Sequence, residues 1–162
     1  MCPGLRSFWM VVPLLLASCD ATEPGGRIPP GHELVIPLDS MLTVEAAAGE
    51  LVHMVRGYDH GLDDLSLTMT ETAPGAGPDL HWHVSDEVHI IQEGRVTYIL
   101  LDSVFTVEGP VVVNVPARVP HTFINAGDSL VKLTAVFSRG DFGGYHPLGP
   151  NPLRTDREPG QP

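Results

Sequence analysis

Between residues 33 and 137 the sequence consists of short apolar stretches separated by turn-forming residues, and this spacing limits the folds that it can adopt. The stretches alternate apolar with polar residues or are rich in β-branched residues, and Gly, Pro, Asp and Asn bound them. They lack the sustained apolar period of about 3.6 residues that an amphipathic helix requires. We therefore predict nine strands, at residues 33–38, 51–56, 65–72, 86–92, 95–101, 104–107, 111–115, 122–125 and 130–137.

This strand pattern indicates an all-β domain. Strands of about five to eight residues that recur about every ten residues are typical of a sandwich, a barrel or a jelly roll. The 17 glycines and 16 prolines among the 162 residues agree with frequent turns. One segment, TVEAAAGE at residues 43–50, is predicted to form a helical turn instead. A chain of this length has room for one core rather than two domains.

The charge of the chain excludes one class of partner. The formal net charge is −11, and Lys132 is the only lysine in the sequence. Nucleic-acid binding depends on clustered Lys and Arg that contact phosphates, and anionic lipid head groups also attract basic residues. We therefore expect no nucleic-acid partner.

The first 18 residues are typical of an export signal. Arg6 precedes an apolar run at residues 8–16, which is too short to span a bilayer as a helix. The run ends in Leu-Ala-Ser-Cys, which resembles the lipobox of bacterial lipoproteins. This resemblance implies a signal peptide at residues 1–18 and a lipid-modified Cys19; a plain secretory signal with a chance cysteine is the alternative. The protein is thus expected in the bacterial cell envelope, anchored to the inner membrane at its periplasmic face or to the outer membrane.

Composition divides the remainder of the chain into three parts. Residues 19–32 are rich in Pro and Gly and lack an apolar period, which predicts a flexible tether. The folded β-domain is expected at residues 33–150, and residues 151–162 are expected to form a loosely ordered tail. Because Cys2 leaves with the signal and Cys19 carries lipid, no disulfide is predicted.

Three histidines and a glutamate lie close together in the segment PDLHWHVSDEVHIIQEG. His81 and His83 are two residues apart, so on a strand both side chains point to the same face. Glu87 and His89 have the same spacing and can face the same interior after a turn, and His121 stands at the start of a later strand. Imidazole and carboxylate donors suit Fe(II), Mn(II), Ni(II), Cu(II) or Zn(II). One divalent transition metal is therefore predicted to bind His81, His83, Glu87 and His121; the alternative is a set of hydrogen-bonded core histidines without metal.

The same segment resembles the first conserved motif of the cupins. Its fixed positions and intervals are matched at Gly75, His81, His83, Glu87 and Gly94. The later segment GPVVVNVPARVPHTFIN resembles the second motif, at Gly109, Pro116, His121 and Asn125. Two departures occur there, since one additional residue separates Gly109 from Pro116 and Arg118 stands where the family usually has Gly. Both departures affect the turn before the strand rather than the ligand.

The resemblance implies a jelly-roll cupin barrel, or double-stranded β-helix, that extends over residues 51–137. The chain is similar to small single-domain cupins described as quercetin-dioxygenase-like, which implies metal-dependent oxidation of a small molecule. Other cupins are isomerases, decarboxylases or binding proteins, and a fold does not fix a reaction. A non-catalytic module that binds a metal or a small molecule is therefore the alternative. Small cupins are often dimers, so the resemblance is also compatible with a homodimer.

Further residues are predicted to act beside the metal. Glu87 and His89 are the catalytic candidates, because a carboxylate at the metal and a histidine next to it can both transfer protons. For His89 the alternative is a hydrogen-bonded residue of the barrel lining. Tyr98, Phe123 and Asn125 are predicted to line the pocket, although Tyr98 and Phe123 also suit core packing.

Overall fold

The computed structural model describes residues 28–155. The predicted signal peptide at residues 1–18, the lipidation site Cys19, most of the predicted tether and the end of the predicted tail lie outside the described residues. Two short 3-10 helices occur, at Leu38–Ser40 and Gly57–His60. The eleven strands are β1 (Leu42–Ala47), β2 (Glu50–Val55), β3 (Ser66–Thr72), β4 (Leu80–Trp82), β5 (Glu87–Glu93), β6 (Arg95–Leu100), β7 (Ser103–Glu108), β8 (Val111–Val115), β9 (His121–Asn125), β10 (Val131–Phe137) and β11 (His146–Gly149).

The strands form two antiparallel sheets whose inner faces pack against each other. The first sheet has the order β1-β2-β3-β10-β5-β8, and the second has the order β11-β4-β9-β6-β7. Neighbours that are far apart in sequence, such as β3 with β10, are typical of a jelly roll rather than of a simple meander. The all-β prediction and the jelly-roll architecture are confirmed.

Eight of the nine predicted strands form, each within one residue of its predicted ends. Their burial alternates as the sequence pattern requires, with every second residue of β3 and of β10 buried between the sheets. The register keeps these inward residues in rows across the first sheet; for example, Thr68 lies opposite Ala135, which lies opposite His89. Alternation therefore located the strands and their inner faces correctly.

Two predictions about the start of the domain are wrong. Residues 33–38 form no strand, and the segment from 43 to 50 forms most of β1 and the turn into β2 rather than a helical turn. The helix-favouring residues of this segment are overridden by pairing, because Ala47 lies opposite Glu50 and Gly49 takes a positive φ of 80° at the turn. Strands β4 and β11 were not predicted, since three or four residues show no alternation.

The core and the end of the domain are joined by buried polar contacts. Ile91, Tyr98 and Leu133 belong to a buried cluster between the sheets. Asn151 is fully buried, and its side-chain amide donates a hydrogen bond to the carbonyl of Phe123. Residues 151–154 are thus docked on the barrel, in contrast to the loose order predicted for a tail beginning at 151. Among residues 28–155 no helix has the length and apolar character needed to cross a membrane.

Candidate metal centre and its cavity

The four predicted metal ligands meet between the two sheets. His81 lies on β4 and His121 lies directly opposite it on β9, because these two residues are paired in the register of the second sheet. His83 follows the end of β4, and Glu87 begins β5 in the first sheet. All four side chains are buried. The two sheets therefore contribute candidate ligands from both sides.

The distances within this cluster suit a single ion. One ligand atom from each of the four residues lies within 4.8 Å of the others. The ring centroids of His81 and His121 are 4.3 Å apart, and those of His83 and His121 are 5.7 Å apart. Glu87 Oε2 lies 3.0 Å from His121 Nε2 and 3.8 Å from His83 Nε2.

Each histidine of the cluster is held by a backbone carbonyl. Nδ1 of His81 is 2.7 Å from the carbonyl oxygen of Asp79, and Nδ1 of His121 is 2.9 Å from that of Val119. Nδ1 of His83 contacts the carbonyl oxygen of Gly144. A carbonyl accepts but cannot donate, so each Nδ1 carries the hydrogen and each Nε2 keeps its lone pair. This arrangement orients histidine ligands in metal proteins, and it directs all three Nε2 atoms inward.

Two polar atoms of the cluster are buried without a hydrogen-bond partner among the described residues. They are Nε2 of His121 and Oε2 of Glu87, which approach each other without the geometry of a hydrogen bond. A buried polar atom without a partner costs about 1–3 kcal/mol. A cation between them would satisfy both atoms, so the residues present fit a bound metal ion.

The protonation of the cluster agrees with this fit. Burial, together with the nearby His121, lowers the pKa of His81 to about 3. Burial also lowers the pKa of His83. For Glu87 burial alone would raise the pKa, but attraction and a hydrogen bond from His89 hold it well below its ordinary range. Neutral imidazoles and an ionised carboxylate are the forms that bind metal.

His89 forms a buried bridge behind the cluster. Its Nε2 lies 2.7 Å from Oε1 of Glu87, and its Nδ1 lies 2.9 Å from the hydroxyl of Tyr98. All three groups are satisfied when Nε2 donates to the carboxylate and Nδ1 accepts from the hydroxyl. The structure therefore places His89 against the Glu87 oxygen that faces away from His121, with Tyr98 behind it.

The departure at Arg118 leaves the turn geometry intact. Arg118 has a φ of 65°, the left-handed conformation that glycine adopts easily and other residues rarely adopt. Its backbone N–H donates a 2.7 Å hydrogen bond to the carbonyl of His83. One residue further on, the Val119 carbonyl accepts from the ring of His121. This single turn thus orients two of the ligands, and Arg118 takes the glycine-like backbone that the turn needs.

A cavity of about 440 Å³ adjoins the cluster. Apolar side chains form most of its wall, and no lysine or arginine is among the described residues that line it. His81, His83, Glu87 and His89 reach it, and so does Phe123, as predicted. This volume is within the usual range for a site that binds a small organic molecule.

Tyr98 and Asn125 do not line the cavity, in contrast to the prediction. Tyr98 is fully buried in the core, and it reaches the site through His89 and by packing against Phe123. Asn125 donates its side-chain amide to the carbonyls of Thr72 and Ser129, and its oxygen accepts from the N–H of Gly127. All its groups are used in closing a turn, so it has none to offer to a ligand.

The cavity also contains residues that were not predicted. Tyr145 stacks on His81 with ring centroids 4.4 Å apart, and burial raises its pKa to about 12. Its position depends on the pairing of β11 with β4, which leaves no pattern in the sequence. Glu50, on the wall formed by β2, was also missed. The sequence did contain a signal for Glu50, because it lies two and four residues before Val52 and Met54. Extending the predicted strand by one residue would have placed Glu50 on the same inner face as these two residues.

Comparison with known proteins agrees with this geometry. The Cupin domain family matches residues 68–137, a range that contains all four candidate ligands. No match was found among curated protein sequences.

The fold is also similar to solved structures. An oxalate decarboxylase of Lactobacillus farciminis in complex with formate has a TM-score of 0.66 and 20% identity, over 85% of this chain and 41% of that one. The oxalate decarboxylase of Bacillus subtilis, which has Mn(II) centres, has a TM-score of 0.63 and 17% identity, over 74% of this chain and 35% of that one. An oxalate oxidase has a TM-score of 0.57 and 16% identity, over 64% of this chain and 57% of that one. The chain spans less than two thirds of each of these structures, and at such identities the likeness is one of fold.

Fold and site together define the class of this protein. It is a jelly-roll barrel with a buried three-histidine, one-glutamate cluster that could hold a metal. The Cupin domain family matches the centre of this barrel, and the solved structures share its fold.

Proposed function

We propose that this protein is a metal-dependent enzyme that oxidises a small organic molecule with dioxygen. The observation that carries the proposal is the position of the cluster, whose four ligand atoms lie within 4.8 Å of one another at the wall of a mostly apolar cavity. A cavity of about 440 Å³ is larger than a metal ion needs, and it offers room for an organic ligand next to the ion.

In this proposal His81, His83, Glu87 and His121 hold one divalent transition metal. Such a metal supplies Lewis acidity and, for Fe, Mn or Cu, a route for electrons to dioxygen. The apolar wall excludes water from the substrate. Glu87 and His89, in contact at 2.7 Å, form the buried pair that we assign to proton transfer. Tyr98 holds the far side of the His89 ring.

The lining of the cavity favours a neutral substrate over oxalate, which is the substrate of the enzymes named above. Oxalate is a small dianion, and beyond the charge of the metal ion its burial requires positive side chains or donors around it. The described residues that line this cavity include no lysine or arginine, and most of its surface would stay uncovered by so small a molecule. Enols, flavonols and small diketones fit the wall better, because they combine an oxygen donor with an apolar body.

Metal analysis is the first test. The purified protein should contain about one transition metal per chain, and His121→Ala should lower the bound metal at least tenfold, because it removes one of four ligands. His32→Ala is the matched control, since His32 is exposed and distant in sequence from the cluster. Equal metal content in the wild type and in His121→Ala would contradict the predicted centre.

Oxygen uptake then separates catalysis from binding. A dioxygenase incorporates both atoms of O₂ into its product, so one O₂ should be consumed per substrate without an added reductant. The wild type should show this with a panel of flavonols and diketones, and His121→Ala should not. Bound metal without substrate-dependent uptake across the panel would favour the alternative, a non-catalytic module that binds a metal or a small molecule.

We also propose that the protein is attached to the bacterial cell envelope through Cys19. The support is the lipobox-like sequence that follows the apolar run at residues 8–16. Cys19→Ser should abolish labelling by a palmitate analogue and release the protein from the membrane fraction, because a thiol is needed for the lipid. Cys2→Ser is the matched control and should change neither readout. A Cys19→Ser protein that stays with the membranes would contradict the anchor.

A further inference from the structure

Glu50 is a buried carboxyl group on the wall of the cavity that the proposed chemistry does not use. It begins β2, its exposed fraction is 2%, and it lines the same cavity as the metal cluster. Its Oε2 has no hydrogen-bond partner among the described residues. Isolated carboxyl groups are rarely buried without a partner, because desolvation is costly.

The positive group that acts on Glu50 does not pair with it. Arg154 attracts it electrostatically, but Nη2 of Arg154 donates to the carbonyls of Ala48 and Gly77, and no ion pair between the two side chains forms in residues 28–155. Burial raises the pKa of Glu50 to about 7 in spite of this attraction. Glu50 is therefore a buried carboxyl group, close enough to Arg154, Glu87 and Asp79 to feel their charges, with hydrogen-bonding capacity unused.

Glu50 and Glu87 belong to the same sheet and are separated by an apolar surface. Their strands are three places apart in the order β2-β3-β10-β5. Between them the inner face carries Val52, Leu133 and Ala135, with the methyl-bearing threonines of β3, and these residues also line the cavity. A ligand that spans this surface meets the metal cluster with one end and Glu50 with the other.

We propose that Glu50 is a specificity-determining residue that binds a hydroxyl group of the ligand, so that the ligand has an oxygen donor at one end, an apolar body, and a hydroxyl group at the other end. The inference rests on the proposed function only for the end of the ligand that carries the oxygen donor and meets the metal cluster. A hydroxyl group donates to a carboxylate and both donates to and accepts from a carboxylic acid, so it pairs with either form of Glu50. A carbonyl oxygen pairs only with the acid, and an anion is repelled by the carboxylate.

A matched pair of probes tests this preference. Benzoylacetone is an enolic diketone on an apolar ring, and its 4-hydroxyphenyl analogue, 1-(4-hydroxyphenyl)butane-1,3-dione, adds one hydroxyl group to the far end. Binding is measured anaerobically to the metal-loaded protein by calorimetry, so that no turnover is required. The hydroxylated probe should bind the wild type about three- to tenfold more tightly, which corresponds to one net hydrogen bond.

Three variants show whether this preference depends on Glu50. Glu50→Leu should abolish it, and Glu50→Gln, whose amide still accepts, should keep part of it. Glu71→Gln is the control, because Glu71 is exposed on β3 of the same sheet. Should Glu50→Leu not fold, the infrared difference spectrum of the wild type with labelled glutamate still decides. The hydroxylated probe should shift a carboxyl band that is absent in Glu50→Gln, and benzoylacetone should not.

The outcomes separate this inference from the proposed oxidation. Equal affinity of the two probes for the wild type, a preference that survives in Glu50→Leu, or failure of both probes to bind would overturn it. A preference that depends on Glu50, with no oxygen consumed when air is admitted, would support the recognition role and count against the oxidation. Oxygen uptake by a wild type that binds both probes with equal affinity would support the oxidation and count against the recognition role of Glu50.

Discussion

The two buried glutamates of the cavity show how surroundings decide what a carboxyl group does. Glu87 and Glu50 lie on one sheet and are almost equally buried, at 4% and 2% exposure. The hydrogen bond from His89 keeps the pKa of Glu87 well below the ordinary range, whereas burial, with the nearby carboxylates of Glu87 and Asp79, raises the pKa of Glu50 to about 7. The same burial therefore accompanies an ionised candidate ligand at one end and a carboxyl group that protonates near neutral pH at the other.

The two carboxyl groups also differ in how they are held. Glu87 is fixed by His89 on one oxygen and faces His121 with the other. Glu50 has one oxygen without any partner in the part of the chain that the structure describes. A fixed group suits coordination, which needs a constant geometry, and a free one suits recognition of a ligand that arrives later. Mutations that alter one of these carboxyl groups or its surroundings should therefore have different effects.

The largest expected effect is on the pH dependence of folding through Glu50. In an unfolded chain its pKa is near 4.5, so the folded state binds the proton more tightly and stability is lost as the pH rises from about 4.5 to about 7. Glu50→Gln removes this loss and should raise the free energy of unfolding at pH 8 by up to about 3 kcal/mol relative to the wild type. At pH 4.5 the difference should be smallest.

Urea denaturation at both pH values, with a chelator present, measures this difference without a contribution from metal. Glu71→Gln removes an exposed charge from the same sheet and should change stability by less than about 0.5 kcal/mol at either pH. A Glu50→Gln protein whose advantage is the same at pH 4.5 and pH 8 would break the contrast, because both glutamates would then be ionised throughout.

The second effect concerns the histidine that holds Glu87. His89→Leu leaves Oε1 of Glu87 and the hydroxyl of Tyr98 without their partner, so the carboxylate loses its orientation. Metal affinity should fall about 10- to 100-fold, as is usual when a group that orients a ligand is removed. Competition titration against a chelator measures it.

Tyr98→Phe is the control for His89→Leu, since it keeps the contact between His89 and Glu87. It should weaken metal binding by no more than about threefold, the effect of one lost hydrogen bond. If Tyr98→Phe weakens metal binding as much as His89→Leu does, then the contact between His89 and Glu87, which only His89→Leu removes, is not what orients the carboxylate.

The contrast between the carboxyl groups also explains how far the sequence could predict the site. The four ligands lie in two short segments with fixed spacing, and alternation on a strand is a local property that the sequence carries. Glu50 has no such spacing to any ligand, and its role follows from the order of strands across the sheet. Tyr145 likewise reaches His81 only because β11 pairs with β4.

The same distinction applies to the fold. Strands of five or more alternating residues were predicted to within one residue, whereas β1 was taken for a helical turn because Ala and Glu favour helix in isolation. Cross-strand pairing with β2 outweighs that preference, and pairing is not a local property. Tyr98 and Asn125 were assigned to the cavity from parity alone, which cannot tell an inward residue of the core from an inward residue of a cavity.

The smallest expected effect lies in the turn that carries Arg118. A residue with a side chain in the left-handed conformation is strained by about 1 kcal/mol, and glycine relieves this strain while adding freedom to the unfolded chain. Arg118→Gly should therefore stabilise the fold by about 0.5–1 kcal/mol, measured by urea denaturation. Arg118→Ala, which keeps the strain, should leave stability nearly unchanged.

Because this turn positions His83 and His121 and not Glu50, Arg118→Gly should keep metal affinity at the wild-type value. A loss of metal binding would show that the arginine side chain itself supports the ligand end of the cavity.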